Sequence, residues 1–145
     1  MKTMTTFLLI LFGIMAVNCQ EFIYLEAESR LALTVKGNYV VGEAVSGRPN
    51  QYMLMPFPYE NYYPFRTVDG RYLKAKGTSL SASRTFNGGS DQLFAYEPLP
   101  EYEYMNGYLR ASNGLVVQAP EQHGGCVVLA EVGATNRQLW IQVQH

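Results

Sequence analysis

The chain has 145 residues, of which 48% are hydrophobic and 16% charged, with 11 Lys and Arg against 12 Asp and Glu. A formal net charge of -1 provides no basic surface for a polyanion, so nucleic acid is excluded as an expected partner. Two Cys and two His are too few for a disulfide-stapled scaffold or a zinc cluster, and neither a metal nor a cofactor is expected.

The first predicted element is a secretory signal peptide. Residues 1–20 read MKTMTTFLLILFGIMAVNCQ, with one Lys, an apolar run over 7–17, and then small and polar residues. This layout predicts cleavage after Cys19, with cleavage after Ala16 as the alternative. The apolar run is short for a bilayer span, so an amino-terminal membrane anchor is the weaker interpretation. We therefore expect a signal peptide over 1–19, a mature domain over 20–145, and a secreted, extracellular protein without membrane contact after cleavage.

Three segments with a common pattern follow, and none shows helical periodicity. Each holds four short apolar or alternating stretches between Gly, Ser and Pro turns, which predicts four strands per segment. The predicted strands are 22–27, 31–37, 39–45 and 51–56 in the first segment, 62–68, 71–77, 79–83 and 92–98 in the second, and 104–112, 115–121, 126–132 and 138–143 in the third. The result is an all-β fold of twelve strands. Because the chain ends just after the twelfth, we expect the strand at 22–27 to pair with it and close the sheet.

Cleavage after Cys19 leaves Cys126 as the single cysteine of the mature chain. It begins the apolar run CVVLAEV, so we expect a buried, inert thiol, with a link to a second chain as the alternative. The oligomeric state stays open at this stage.

The last predicted strand of each segment begins with a Gln that is followed, two residues later, by a large apolar side chain. The triplets are Gln51-Tyr52-Met53, Gln92-Leu93-Phe94 and Gln138-Leu139-Trp140. They recur after 41 and 46 residues, which indicates an internal repeat. The pattern resembles the Q-x-W motif of the ricin-type β-trefoil lectins, and the segment 69–83 also resembles fascin-like trefoils. The resemblance implies a ricin B-type β-trefoil of three four-stranded repeats over 20–145, in which the six Gln and apolar residues of the motif are structural.

In the resembled lectins, an Asp of the first hairpin strand, an aromatic platform and an Asn just before the Gln hold the sugar. At the Asp position this chain has Thr34, Lys74 and Gln118, of which Lys74 suits an acidic or sulfated sugar. Phe86 in the second segment is the only aromatic residue near the platform position. The candidate ligand-binding residues are Asn50, Lys74, Phe86, Asp91, Gln118 and Asn136.

These residues predict a non-enzymatic binding protein whose partners are glycans or extracellular matrix proteins. His145 is terminal and His123 lies in the turn EQHGG, so a nucleophilic triad is not expected. One alternative is an extracellular structural or protein-interaction protein with decayed sugar sites. A third interpretation, a trefoil protease inhibitor, would act through the loop 84–91 or the loop 120–125.

Overall fold

The computed structural model describes residues 22–54, 62–99, 106–133 and 135–144. These residues form twelve strands and one turn of 3-10 helix at Ser90–Gln92, so the described chain is all-β. The strands are β1 Phe22–Ala27, β2 Ala32–Lys36, β3 Tyr39–Glu43, β4 Tyr52–Leu54, β5 Arg66–Thr67, β6 Tyr72–Lys76, β7 Ser79–Ser83, β8 Phe94–Pro98, β9 Asn106–Ala111, β10 Val116–Gln118, β11 Val128–Ala130 and β12 Trp140–Gln144. The predicted signal peptide lies outside the described residues. Within them, no helix is both long and apolar enough to cross a bilayer.

Half of the strands form a closed ring of antiparallel pairs. β1 pairs with β12 from Ala27 opposite Trp140 onward, which confirms the expected pairing of the first and last strands. β1 also pairs with β4, β4 with β5, and β9 with both β8 and β12. A bridge between Tyr63, just before β5, and Phe94 of β8 completes the circuit. Within the described residues, each strand of the ring therefore has a partner on both sides.

The other six strands form three hairpins, β2 with β3, β6 with β7, and β10 with β11. The hairpins also contact one another. Tyr39 of β3 pairs with Ser81 of β7, and Val128 of β11 pairs with Ser79 of β7. The second hairpin is thus in contact with both of the others, and the turn of the first hairpin lies beside it.

One hydrophobic cluster fills the interior, and all three segments contribute to it. Its fully buried large side chains include Leu33, Met53, Phe65, Leu73, Phe94, Leu109 and Trp140. The Trp140 indole Nε1 donates to the Val117 carbonyl at 2.9 Å, and the buried Tyr96 hydroxyl donates to the Trp140 carbonyl at 3.0 Å. Burial raises the pKa of Tyr96. The three Q-x-W apolar positions therefore meet in a shared core, where the Trp140 indole and the Tyr96 hydroxyl are both hydrogen-bonded.

The prediction of a buried Cys126 is wrong, because the thiol is exposed. Side chains alternate along this extended segment, and Val127 and Leu129 take the inward positions at 2% exposure each. Cys126 and Val128 consequently point outward. The sequence identifies the apolar run but does not show which of its alternating side chains face the core.

Gly107 allows β9 and β8 to approach closely, and a side chain at this position is expected to destabilise the fold. A Cβ at this position would lie 2.8 Å from the Glu97 carbonyl carbon and 2.9 Å from Pro98 Cα, both backbone atoms. Gly107→Ala should therefore lower the free energy of unfolding by about 1–3 kcal/mol in a urea titration. Gly133→Ala is the matched control, since its nearest neighbour is 3.7 Å away. Equal stability of the two variants would contradict the close approach of the strands.

Candidate functional site

Each motif glutamine ties down a short loop that precedes it. Its Nε2 donates to the carbonyl seven residues earlier, and its Oε1 accepts from the N–H five residues earlier. The contacts are Gln51 to Ala44 and Ser46 at 2.9 and 2.7 Å, Gln92 to Thr85 and Asn87 at 2.7 and 2.8 Å, and Gln138 to Glu131 and Gly133 at 2.9 and 2.7 Å. All three glutamine side chains are at most 2% exposed, although the loop residues they bind lie at the surface. The glutamines thus fix three loops in the same way.

The residue between the two tethered positions forms the tip of each loop. These tip residues are Val45, Phe86 and Val132, with exposures of 42%, 40% and 45%. An exposed apolar side chain held on both sides by a buried amide offers a rigid contact surface. Only Phe86 has an aromatic face for the apolar side of a ligand. Sequence reasoning identified Phe86 but missed its two structural counterparts, although each lies six residues before its Gln.

Phe86 stacks on a second aromatic ring that sequence reasoning also missed. Its ring centroid lies 5.3 Å from that of Tyr72, with an angle of 32° between the planes. Tyr72 and Lys74 are half-buried and alternate with the buried Leu73 and Ala75, so they share the outward face of β6. The period-two pattern of RYLKAKG was the signal that could have located Tyr72.

Asp91 completes this outward face. It lies in the 3-10 turn at Ser90–Gln92, with Oδ2 3.9 Å from Lys74 Nζ. Both charged side chains are more than a third exposed, so their ion pair contributes well under about 1 kcal/mol and leaves both groups available. The structure thus places Lys74, Phe86 and Asp91 on one face.

The equivalent face of the first segment is closed. Thr34 is 1% exposed, donates to the Ala32 carbonyl at 3.1 Å and accepts from Gln51 Nε2 at 2.9 Å. An ion pair between Lys36 and Glu43 bridges the two strands of this hairpin. Asn50 is half-buried, and its backbone carbonyl accepts from the Val35 N–H at 3.0 Å. These contacts turn the Thr34 hydroxyl inward and pair the Glu43 carboxylate within the protein.

The third segment is occupied in a similar way. Gln118 Oε1 accepts from Gln138 Nε2 at 3.0 Å, so the candidate ligand group is bound within the protein. Asn136 lies in an exposed turn and uses its backbone carbonyl to accept from the Ser29 N–H at 3.0 Å. The neighbouring Arg137 donates to Glu121 at 3.2 Å. Gln118 is therefore engaged through its side chain, and Asn136 through its backbone.

An open hollow of about 500 Å³ lies beside Lys74, between the second hairpin and the turn of the first. Arg71 Nη1 donates to Asn38 Oδ1 at 3.2 Å and joins the two hairpins at its wall. The other lining residues are Lys74, Ser81, Ala82, Ser83 and Arg84. Over the described ranges, no group of three or more His, Cys, Asp and Glu is arranged to hold a metal ion.

No model of a known family matches the sequence, and no characterised protein sequence matches it either. The solved structures with a similar backbone include the designed three-fold symmetric protein ThreeFoil, with a TM-score of 0.73 and 19% identity over 84% of this chain and 97% of that chain. The Rhizoctonia solani agglutinin has a TM-score of 0.70 and 14% identity over 89% and 98%. SeviL, solved bound to the asialo-GM1 saccharide, has a TM-score of 0.69 and 13% identity over 86% and 97%.

These structures are β-trefoils, and two of them are lectins. The likeness therefore shows that the described chain has a β-trefoil fold. Identities below 20% show the fold alone, so membership of the ricin-type family remains a prediction.

Proposed function

We propose that the chain is a secreted, non-enzymatic β-trefoil that binds carbohydrate through the outward face of its second repeat. The observation that carries the proposal is the placement of Phe86, which Gln92 holds on both sides and which stacks on Tyr72. Lys74 and Asp91 supply a donor and an acceptor for hydroxyls on the same face. An aromatic surface beside paired polar groups is what recognition of a pyranose ring requires.

The proposal includes an organisation into three repeats of four strands. Each repeat would contribute two strands to the ring, one hairpin, and one glutamine with its loop. The spacing of the two loop bonds is the same at Gln51, Gln92 and Gln138, which supports this division. The signal peptide predicted over 1–19 supports secretion and an extracellular glycan as the partner.

The three repeats differ in a way that favours one ligand per chain. Val45 and Val132 occupy the tip position in the first and third repeats and offer no ring face. Thr34 and Gln118 accept hydrogen bonds from their own glutamines, whereas Lys74 has no acceptor to offer Gln92. The second repeat alone, among the described residues, combines an aromatic tip with outward polar groups.

A glycan array carrying neutral, carboxylated and sulfated sugars, followed by calorimetric titration of the best ligand, tests the proposal. We expect one saccharide per chain. Phe86→Ala should weaken binding about tenfold, since a sugar covering roughly 50 Å² of the ring contributes about 1.2 kcal/mol. Val132→Ala is the matched control and should bind like the wild type. Three saccharides per chain, or equal effects of the two substitutions, would contradict a site in the second repeat.

A structural or protein-interaction role outside the cell is the second candidate. Its support is the closure of the first and third repeats, which is expected of a scaffold that no longer binds sugar there. The exposed Cys126 thiol would also be accessible to a partner. Absence of any glycan signal on the array would favour this role. The inhibitor interpretation of the loops 84–91 and 120–125 stays a prediction.

A further inference from the structure

We infer that the hollow beside Lys74 binds the negatively charged group of an acidic saccharide, either a carboxylate or a sulfate. This inference rests on the proposed function and specifies the class of sugar. The sequence pointed to Lys74 alone. The structure adds Arg71, Arg84 and Asn38 from positions that no motif connects.

The charge of the hollow is the first argument. Its lining includes Arg71, Lys74 and Arg84 but no carboxylate. Of the polar side chains in the lining, Asn38 can donate to an anion through its amide, while the Ser81 and Ser83 hydroxyls donate to the Lys74 and Thr85 carbonyls at 3.5 and 3.3 Å. Three cations, with the Asp91 carboxylate 3.9 Å from Lys74 Nζ outside the lining, leave the space positively charged and favour the binding of an anionic ligand over that of a neutral one.

The cations of the hollow are available. Arg84 is exposed and has no ion-pair partner in the described part of the chain. Arg71 donates to a neutral amide at 3.2 Å, and Lys74 Nζ stands 3.9 Å from Asp91, beyond direct hydrogen-bond distance. Arg110 shows the contrast, since Glu97 holds it with bonds of 2.7 and 3.0 Å. An incoming carboxylate or sulfate would therefore gain contacts without breaking a strong ion pair.

An unmatched donor is the second argument. Gln51 and Gln138 each give a further Nε2 bond to the side chain of the first hairpin strand, at Thr34 and Gln118. Gln92 makes no such bond among the described residues, because the equivalent side chain is the cation Lys74. The Gln92 side chain is 1% exposed, and its Nε2 donates to the Thr85 carbonyl at 2.7 Å. An anionic oxygen beside Lys74 would place an acceptor at the position where the other two repeats have one.

The position of Phe86 indicates that the anionic group belongs to a sugar. Phe86 lies three residues after the end of β7, the strand that pairs with β6, at the tip of the loop that begins with Arg84. Its ring stacks on Tyr72, which lies on β6 as Lys74 does. A pyranose resting on Phe86 would direct a charged substituent along β6 toward Lys74. The ligand class that fits is thus a saccharide with a carboxylate or sulfate, rather than a free inorganic anion.

The test is a set of calorimetric titrations of residues 20–145 with matched sugars. The probes are galactose, galacturonic acid, galactose 6-sulfate and inorganic sulfate. We expect at least one of the two anionic sugars to bind about tenfold more tightly than galactose, and the comparison of the two shows whether carboxylate or sulfate is preferred. The preference should shrink as NaCl rises from about 0.05 M to about 0.5 M, because salt screens the interaction.

Substitutions of the cations in the hollow test where the anionic group binds. Lys74→Gln and Arg84→Gln should each reduce the preference for the charged sugar about fivefold or more, with the melting temperature unchanged. Lys76→Gln is the matched control, because it removes a cation of the same strand that does not line the hollow. A preference that survives both lining substitutions, or that depends equally on Lys76, would overturn the inference.

The remaining outcomes separate this inference from the proposed function. If galactose and both charged sugars bind equally and Phe86→Ala weakens all of them, the anion inference is wrong and the carbohydrate site stands. If neither these probes nor any sugar on the glycan array binds, both are wrong. If inorganic sulfate binds as tightly as the sulfated sugar, the saccharide part of the assignment is overturned.

Discussion

Replacing Trp140 by Ala should lower the free energy of unfolding by about 3–5 kcal/mol, the largest stability loss that we expect from a single substitution. The side chain is 0% exposed and belongs to the central cluster. Its removal leaves a cavity where residues of all three segments meet and leaves the buried Val117 carbonyl without its indole donor. For a domain of this size the melting temperature should fall by roughly 10 °C or more in a thermal melt followed by circular dichroism.

Two further variants separate the causes of the stability loss in Trp140→Ala. Trp140→Phe keeps an aromatic ring but loses the Nε1 bond to Val117, so its loss should be about half as large. Val132→Ala truncates a side chain that is 45% exposed and should change stability by less than about 0.5 kcal/mol. A Trp140→Ala protein as stable as Val132→Ala would contradict the common core.

Replacing Gln92 by Leu should reduce both stability and sugar binding, whereas the same change at Gln138 should reduce stability alone. Each substitution removes the two bonds that tether a loop, and we expect a loss of about 1–3 kcal/mol in either case, because the freed loop groups are partly accessible to water. The consequence for binding differs because Gln92 positions Phe86, while Gln138 positions Val132. Sugar affinity should fall about tenfold in Gln92→Leu only.

The comparison is made by urea titration and calorimetry on the same preparations. Gln122→Leu, in an exposed loop, controls for the added apolar side chain and should resemble the wild type in both measurements. Equal loss of sugar affinity in the Gln92 and Gln138 variants would show that the effect comes from general destabilisation, and would remove the link between the motif and the platform.

Much of the fold could be predicted because its signals are local. Alternation, turn residues and the recurring Gln located all twelve strands, and the strands at 22–27 and 79–83 have the predicted bounds. The strand predicted at 62–68 is reduced to Arg66–Thr67, since Pro64 has no N–H for the sheet. The strand predicted at 39–45 ends at Glu43, because the side chain of Gln51 takes the backbone groups of the following loop.

The candidate site was predictable only in part. Lys74, Phe86 and Asp91 follow from their positions relative to the hairpin and the Gln, which are fixed along the chain. The hollow depends on where the first hairpin meets the second, as in the contact of Arg71 with Asn38 across 33 residues, and sequence spacing does not encode that contact. Whether Thr34 and Gln118 face a ligand or their own glutamines is likewise decided by packing.

The central claim is that the second repeat holds the single ligand site. Amide chemical-shift mapping of isotope-labelled 20–145, titrated with the saccharide that binds tightest on the array, tests it most directly. We predict shifts concentrated in residues 71–92 and at Asn38, including the backbone amides of Lys74, Phe86 and Asp91. Shifts of equal size around Thr34 and Gln118, or none near Phe86 at saturation, would contradict the claim.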